Sequence, residues 1–227
     1  MPWGYGDVVN KTGRAALAGA LALIAAGIVM FAFINLMSQP GTVTFAASNG
    51  QVNVTLQTVG SYGSGDHPTW VSYEIQTQGG TWQHTTIWQV PARTQVNVTI
   101  LQYDSGSPLR NEQLGQVTGT VGDVATLNGA TFSVNNSNVG NGVGHTFSIP
   151  AIGVSVPLAG VNGNDTLCGA APCEPSSPHN VIKFSFMSPG PGNYPWQCFV
   201  PCGLGWLYGN GGPMGTVGYM GGFMKVV

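Results

Sequence analysis

The sequence predicts a mainly β protein: one N-terminal transmembrane helix, then an antiparallel β-sandwich or Greek-key barrel with long loops. Three observations carry this reading. Ala15–Ile34 is an unbroken apolar run without a charge or a proline. From Gly41 onward, short β-rich runs are broken by Gly, Asn, Ser and Pro, the punctuation of strands and turns. No stretch beyond residue 40 carries the 3.6-residue periodicity of a long amphipathic helix.

At about 1.5 Å per residue, the apolar run spans roughly the 30 Å hydrocarbon core of a bilayer. Lys11 and Arg14 precede it, and Ser38, Gln39, Pro40 and Gly41 follow it. The positive-inside tendency then makes 1–14 a cytoplasmic N-terminus, 15–37 the helix and 38–227 an extracytoplasmic domain of a single-pass protein in the cell membrane. The alternative is a cleaved signal peptide, against which the length of the run counts. Ala18, Ala22 and Ala26 repeat at four-residue spacing. Small residues so placed let helices approach closely in lipid, which points to a companion helix as well as to the bilayer itself.

The outer part has its strands at Val52–Gln57, Trp70–Gln76, Gln95–Leu101, Ala130–Val134 and Val181–Met187. Several alternate apolar and polar residues, as a sheet with one buried face requires. Long loops are expected around 104–144 and 158–180.

Charge is scarce. Charged residues are 6% of the 227, against about 25% in an ordinary soluble domain. This excludes a nucleic-acid binder, which must neutralise phosphates with clustered Lys and Arg. A hydrophobic content of 43% with a net charge of −2 also excludes a disordered chain. Beyond residue 38 the basic residues are Arg93, Arg110, Lys183 and Lys225; Thr, Ser, Asn and Gln carry the polarity instead. Such a composition suits an acidic exterior, and the domain is expected to stay folded near pH 2–3, roughly below the carboxylate reference values. Asn53, Asn97, Asn135 and Asn164 each open an N-x-Ser/Thr triplet and are candidate glycan positions. No nucleophile–base spacing and no phosphate-cradling glycine loop stands out, so catalytic residues are not assigned.

Three segments, Val90–Asp104 (VPARTQVNVTILQYD), His145–Val154 (HTFSIPAIGV) and Pro189–Gly203 (PGPGNYPWQCFVPCG), with the closing Met220–Val227 (MGGFMKVV), resemble the cupredoxin domain of subunit II of haem–copper oxidases. The Cys-x3-Cys loop after a PG turn is the most specific part. The resemblance implies a cupredoxin-like fold and a copper position at His145, Cys198, Cys202 and Met220. That family's binuclear centre uses two bridging thiolates, two imidazoles, a Met sulfur and a backbone carbonyl. The second imidazole is due four residues after Cys202, where this chain has Trp206, and no His follows Cys202. The site is therefore expected to be degenerate, with no resident cofactor or with copper in altered form. His67, His84 and His179 are distant candidates for the missing ligand.

All four cysteines fall in the outer part, where disulfides persist. Four cysteines allow three connectivities. Local pairing, Cys168 with Cys173 and Cys198 with Cys202, is the first expectation; Cys198 and Cys202 kept as copper ligands is the alternative. The resemblance implies a non-catalytic, subunit II-like component of a respiratory oxygen reductase, similar to quinol-oxidase chains that keep the fold without copper. Its partners would be integral membrane subunits, including the haem-bearing subunit I. The alternatives are a free-standing membrane-anchored copper protein for electron transfer or copper delivery, and a structural surface or filament protein.

Overall fold

The computed structural model describes residues 5–37, 40–136, 138–202 and 211–227. Two compact units divide the chain between Gln39 and Pro40. The first is a helix, α1 (Tyr5–Met37), which begins ten residues before the apolar run itself. Its Gly13–Phe33 stretch is long and apolar enough to cross a membrane, with mean hydropathy 2.4 and no burial within the unit.

Among its described residues the second unit has thirteen strands: β1 (Thr42–Thr44), β2 (Gln51–Val59), β3 (Ser72–Gln76), β4 (Trp82–Gln83), β5 (Ile87–Val90), β6 (Gln95–Gln102), β7 (Ala125–Leu127), β8 (Ala130–Phe132), β9 (Val143–Ile149), β10 (Val154–Ala159), β11 (Asn180–Met187), β12 (Gly192–Gln197) and β13 (Gly221–Val226). They form two sheets, ordered β1-β5-β13-β12-β9-β10 and β4-β3-β2-β6-β11-β7-β8. The sheets stack as a sandwich and do not close into a barrel among the described residues. Pairing is antiparallel except where β1 meets β5, β5 meets β13 and β2 meets β6, which run parallel. Beyond residue 40 the only helical elements described are three short 3₁₀ turns.

Alternation builds the core. On β6 every second residue is buried, and the register sets Val52, Val96 and Phe186 in one row, Val54, Val98 and Phe184 in the next, and Leu56, Ile100 and Ile182 in a third. These rows join Phe147, Ile149, Val156, Leu158, Trp196 and Met224 in one buried cluster. Period-two burial turns the intervening residues of β2, β6 and β11 outward, Lys183 among them. Five of them form an amide and hydroxyl lattice: Asn97 Nδ2 donates to Gln51 Oε1 (2.9 Å) and Asn53 Oδ1 (3.1 Å), and Asn97 Oδ1 accepts from Gln95 Nε2 (2.9 Å) and Ser185 Oγ (2.8 Å).

This lattice bears on the candidate glycan positions. Asn53 and Asn164 are exposed. The Asn97 amide nitrogen is held by two hydrogen bonds, and Asn135 Nδ2 is buried without a partner among the described residues. A glycan at Asn97 would cost it those two hydrogen bonds.

A second, smaller cluster packs Val59 and Tyr103 against Cys173. Here the Cys168–Cys173 disulfide forms as expected. The Cys173 N–H donates to Gln57 Oε1 (3.0 Å), and Gln57 Nε2 donates to the buried Glu74 carboxyl (2.8 Å). Burial, partly offset by that hydrogen bond from Gln57, pushes the Glu74 carboxyl above its usual range.

Candidate metal centre

Cys198 and Cys202 are not joined. Their sulfurs lie 3.4 Å apart, well beyond the roughly 2.05 Å of a disulfide, and both thiols are free and buried. This corrects the expected local pairing. The physical reason lies in what surrounds the sulfurs: each has a polar partner other than its neighbour. His145 Nδ1 is 3.1 Å from Cys202 Sγ and 3.8 Å from Cys198 Sγ. The Val200 carbonyl, between the two cysteines in sequence, lies 3.4 Å from Cys198 Sγ and 3.1 Å from Cys202 Sγ. The Thr146 backbone N–H donates to Cys198 Sγ (3.3 Å).

The local fold explains the convergence. His145 and Thr146 sit on β9, and Cys198 follows the last residue of β12, whose Gln197 pairs with Ser148. Pro157 stands opposite Thr146 across the β9–β10 register and has no N–H to give. The Thr146 backbone is instead used on the side of the cysteines, where its carbonyl accepts from the Tyr73 hydroxyl (2.9 Å). Thr146 Oγ1 accepts from the Phe199 N–H (2.8 Å), and the Cys198 N–H donates to the Met220 carbonyl (2.9 Å). The ligand loop is thus pinned to β9 on one side and to the closing segment on the other.

Asp104, just beyond β6, completes the arrangement: His145 Nε2 lies 3.0 Å from Asp104 Oδ2. The Asp104 side chain is 20% exposed and that of His145 only 2%. Burial alone would keep His145 neutral, but the Asp104 carboxylate and the Cys198 sulfur outweigh it and push its pKa up to about 9. Burial likewise opposes the charge on Asp104, and the His145 hydrogen bond and charge, with the Ser105 backbone N–H, hold it below the usual carboxylate range. Cys198 is carried well below an ordinary thiol against its own burial, by its hydrogen bonds with Cys202 and His145. Cys202 moves up, first through its hydrogen bond to Cys198 and then through burial. These shifts favour negative charge on Cys198 and positive charge on His145, backed by the Asp104 carboxylate.

His145, Cys198 and Cys202 have ligand atoms all within 4.8 Å of one another. A tetrahedral ion with metal–sulfur bonds near 2.3 Å and metal–nitrogen bonds near 2.0 Å would set its ligands about 3.6–3.8 Å apart. The observed separations of 3.1, 3.4 and 3.8 Å are close to that. Two thiolates and an imidazole are soft donors of the kind that suits copper(I) or zinc. The donor set fits one such ion.

Of the residues singled out from the sequence, the structure brings together His145, Cys198 and Cys202, with Met220 buried beside them and in backbone contact with Cys198. It does not bring in His67, His84 or His179: His67 stacks on Trp70, His84 on Tyr62, and His179 lies against Tyr103. Trp206, at the position due for a second imidazole, lies outside the described residues. Asp104, Val200 and Tyr73 were not singled out. A lone Asp after a strand reads as a turn residue, and a carbonyl has no sequence signal at all.

No family model and no curated protein matches the chain. Among solved structures, it is similar to reduced rusticyanin, with 18% identity over 81% of this chain and 84% of that one, at a TM-score of 0.34. Rusticyanin from Thiobacillus ferrooxidans matches at 15% identity over 81% and 82% of the two chains, at 0.33. The copper(I)-bound metal-binding domain of a copper(I)-exporting P-type ATPase from Streptococcus pneumoniae matches at 10% identity over 84% and 99%, at 0.34. With superposition scores this low, the site rests on the geometry above.

Proposed function

We propose that this chain is a membrane-anchored, cupredoxin-like copper protein of an electron-transport chain, with α1 as its anchor and the sandwich on the outer side of the membrane. The observation that carries this reading is the buried His145–Cys198–Cys202 cluster with both thiols free. Copper bound there would supply a one-electron redox couple. The chain's own residues do the rest. Asp104 takes the Nε2–H of His145 and so leaves Nδ1 free to face the metal, the usual arrangement behind a ligating histidine. The Thr146 N–H donates to Cys198 and stabilises its negative charge, and burial keeps water from the sulfurs.

A finer reading, a subunit II-like component beside a haem-bearing subunit of an oxygen reductase, is favoured by the convergence of the resembling segments. His145, the Cys-x3-Cys loop and the Met220–Val227 strand meet at one place in the fold. With His145 as the one imidazole at the cluster among the described residues, that component would lack the binuclear centre.

Metal analysis of the purified full chain tests the first reading. One copper per chain, lost in Cys198→Ser, is the expected result; zinc in its place, or no metal after copper loading, overturns it. Co-purification tests the second, which fails if no haem-bearing membrane protein accompanies the chain.

A further inference from the structure

Away from the His145–Cys198–Cys202 cluster, four rings gather around Tyr219. His67 stacks on Trp70 with centroids 3.6 Å apart and planes 6° apart, and His84 stacks on Tyr62 at 3.7 Å and 23°. Trp70 and His84 each meet Tyr219 edge-on, at 4.9 Å and 71°. Tyr219 is buried at the centre, 8% exposed, and the two stacks are half-buried.

Of the core rings, Tyr73 donates to the Thr146 carbonyl and Trp196 to the Thr86 carbonyl, whereas Trp88 Nε1 and the Tyr103 hydroxyl are buried without a partner among the described residues. The nest differs in exposure: all its rings but Tyr219 are half-buried, so their polar tips can meet water. In the nest, the Trp70 indole N–H and the Tyr62 and Tyr219 hydroxyls bond to none of the described residues. No Lys or Arg belongs to it. Aromatic bodies with unpartnered polar tips suit a boundary that is apolar on one side and wet on the other.

Its place in the chain supplies the second argument. A Cβ added at Gly218, next to Tyr219, would come within 3.0 Å of Pro40 Cγ and 3.8 Å of His84 Nε2. Thr85 Oγ1 donates to the Gly41 carbonyl (2.5 Å). Pro40 therefore sits at the nest, three residues after Met37, where α1 ends. Three residues reach at most about 11 Å, so chain length alone ties the nest to the point where the apolar segment ends.

We propose that the Tyr62–His67–Trp70–His84–Tyr219 nest is a lipid-binding surface that docks onto the outer headgroup layer of the bilayer crossed by α1. Tyr and Trp are enriched at that depth because their rings replace water there while their polar tips stay hydrated. The proposal rests on the anchor reading, not on the metal.

The test uses the full chain in phosphatidylcholine vesicles carrying either a headgroup spin label or one near the acyl-chain terminus. The fluorescence difference between wild type and Trp70→Phe isolates the Trp70 emission. The expected result is loss of that emission with the headgroup label and little loss with the deep one. Emission unaffected by the headgroup label, yet quenched by aqueous iodide as it is in detergent, overturns the docking. Should Trp70→Phe fail to fold, the Tyr62→Trp variant gives an added emission with the same two outcomes. Alkaline carbonate extraction of the same vesicles reads insertion separately. An extracted chain refutes the anchor, whereas an inserted chain with unquenched Trp70 refutes the docking alone.

Discussion

His145 and Asp104 come from opposite sheets of the sandwich, from β9 and from the end of β6, and meet at 3.0 Å between Nε2 and Oδ2. That contact fixes which nitrogen of the imidazole is left for a metal. It also gives the charge of the site a route to solvent, since Asp104 is its only partly exposed member among the described residues.

Removing Asp104 should weaken metal binding while leaving the ligands in place. Partners of ligating histidines are worth about 10–100-fold in metal affinity. Asp104→Ala is expected to lose affinity on that scale, and Asp104→Asn, which can still accept the Nε2–H, less. Chelator competition at fixed pH measures both; unchanged affinity in Asp104→Ala would show that the carboxylate does not orient His145.

The two cysteine pairs should separate cleanly. Cys198→Ser or Cys202→Ser is expected to abolish stoichiometric metal. Cys168→Ser is expected to keep the metal but cost about 2 kcal/mol of stability, the chain-entropy value for so short a loop. Denaturant melts and metal content on the same samples read the two effects. Metal loss in Cys168→Ser would contradict the division.

Glu74 sets a pH dependence of definite sign. Its folded pKa is raised, so its contribution to stability is fully present below the unfolded value near 4.3 and is lost as pH rises through the folded value. Glu74→Gln keeps an acceptor for Gln57 and cannot ionise. Wild type and variant should be about equally stable at pH 3, and the variant more stable at pH 7, by about 1.4 kcal/mol for each pKa unit of the shift. Urea melts across that range check it, and parallel curves would place the carboxyl in ordinary solvent.

Tyr73→Phe removes the only side-chain donor to the Thr146 carbonyl among the described residues. The cost should be about 1–3 kcal/mol, the range for a buried carbonyl left without a partner. Metal stoichiometry should not change, because burial and the Cys198 and Cys202 charges keep the Tyr73 phenol protonated and hence a donor only. A melt with bound metal quantified in parallel decides it.

The strands that alternate plainly were legible in the sequence: β2, β3, β6, β8 and β11 all fall within two residues of the expected runs. Two of those that were missed share a cause. β12 (GNYPWQ) and β10 (VSVPLA) each contain a Pro, which argues against an interior strand. The structure accommodates both prolines: Pro195 lies on a part of β12 that pairs only with β13, and β10 is an edge strand. Cys198 and Cys202 were legible through one local loop, and His145 through the segment it opens. Their protonation and free state were not, because these depend on Asp104, Thr146 and Val200, which approach only through sheet packing. The nest around Tyr219 was invisible for the same reason, with members scattered from position 62 to 219.

The amide and hydroxyl lattice on β2, β6 and β11 has a kinetic consequence. Apart from Lys183 on β11, its hydration comes from groups that carry no net charge at any pH, so the face projects the field of a single cation. A partner approaching it is steered only weakly, and its encounter rate should depend little on salt and mainly on diffusion and orientation. Such a face suits a protein whose partners are brought to it by confinement in two dimensions rather than by long-range attraction.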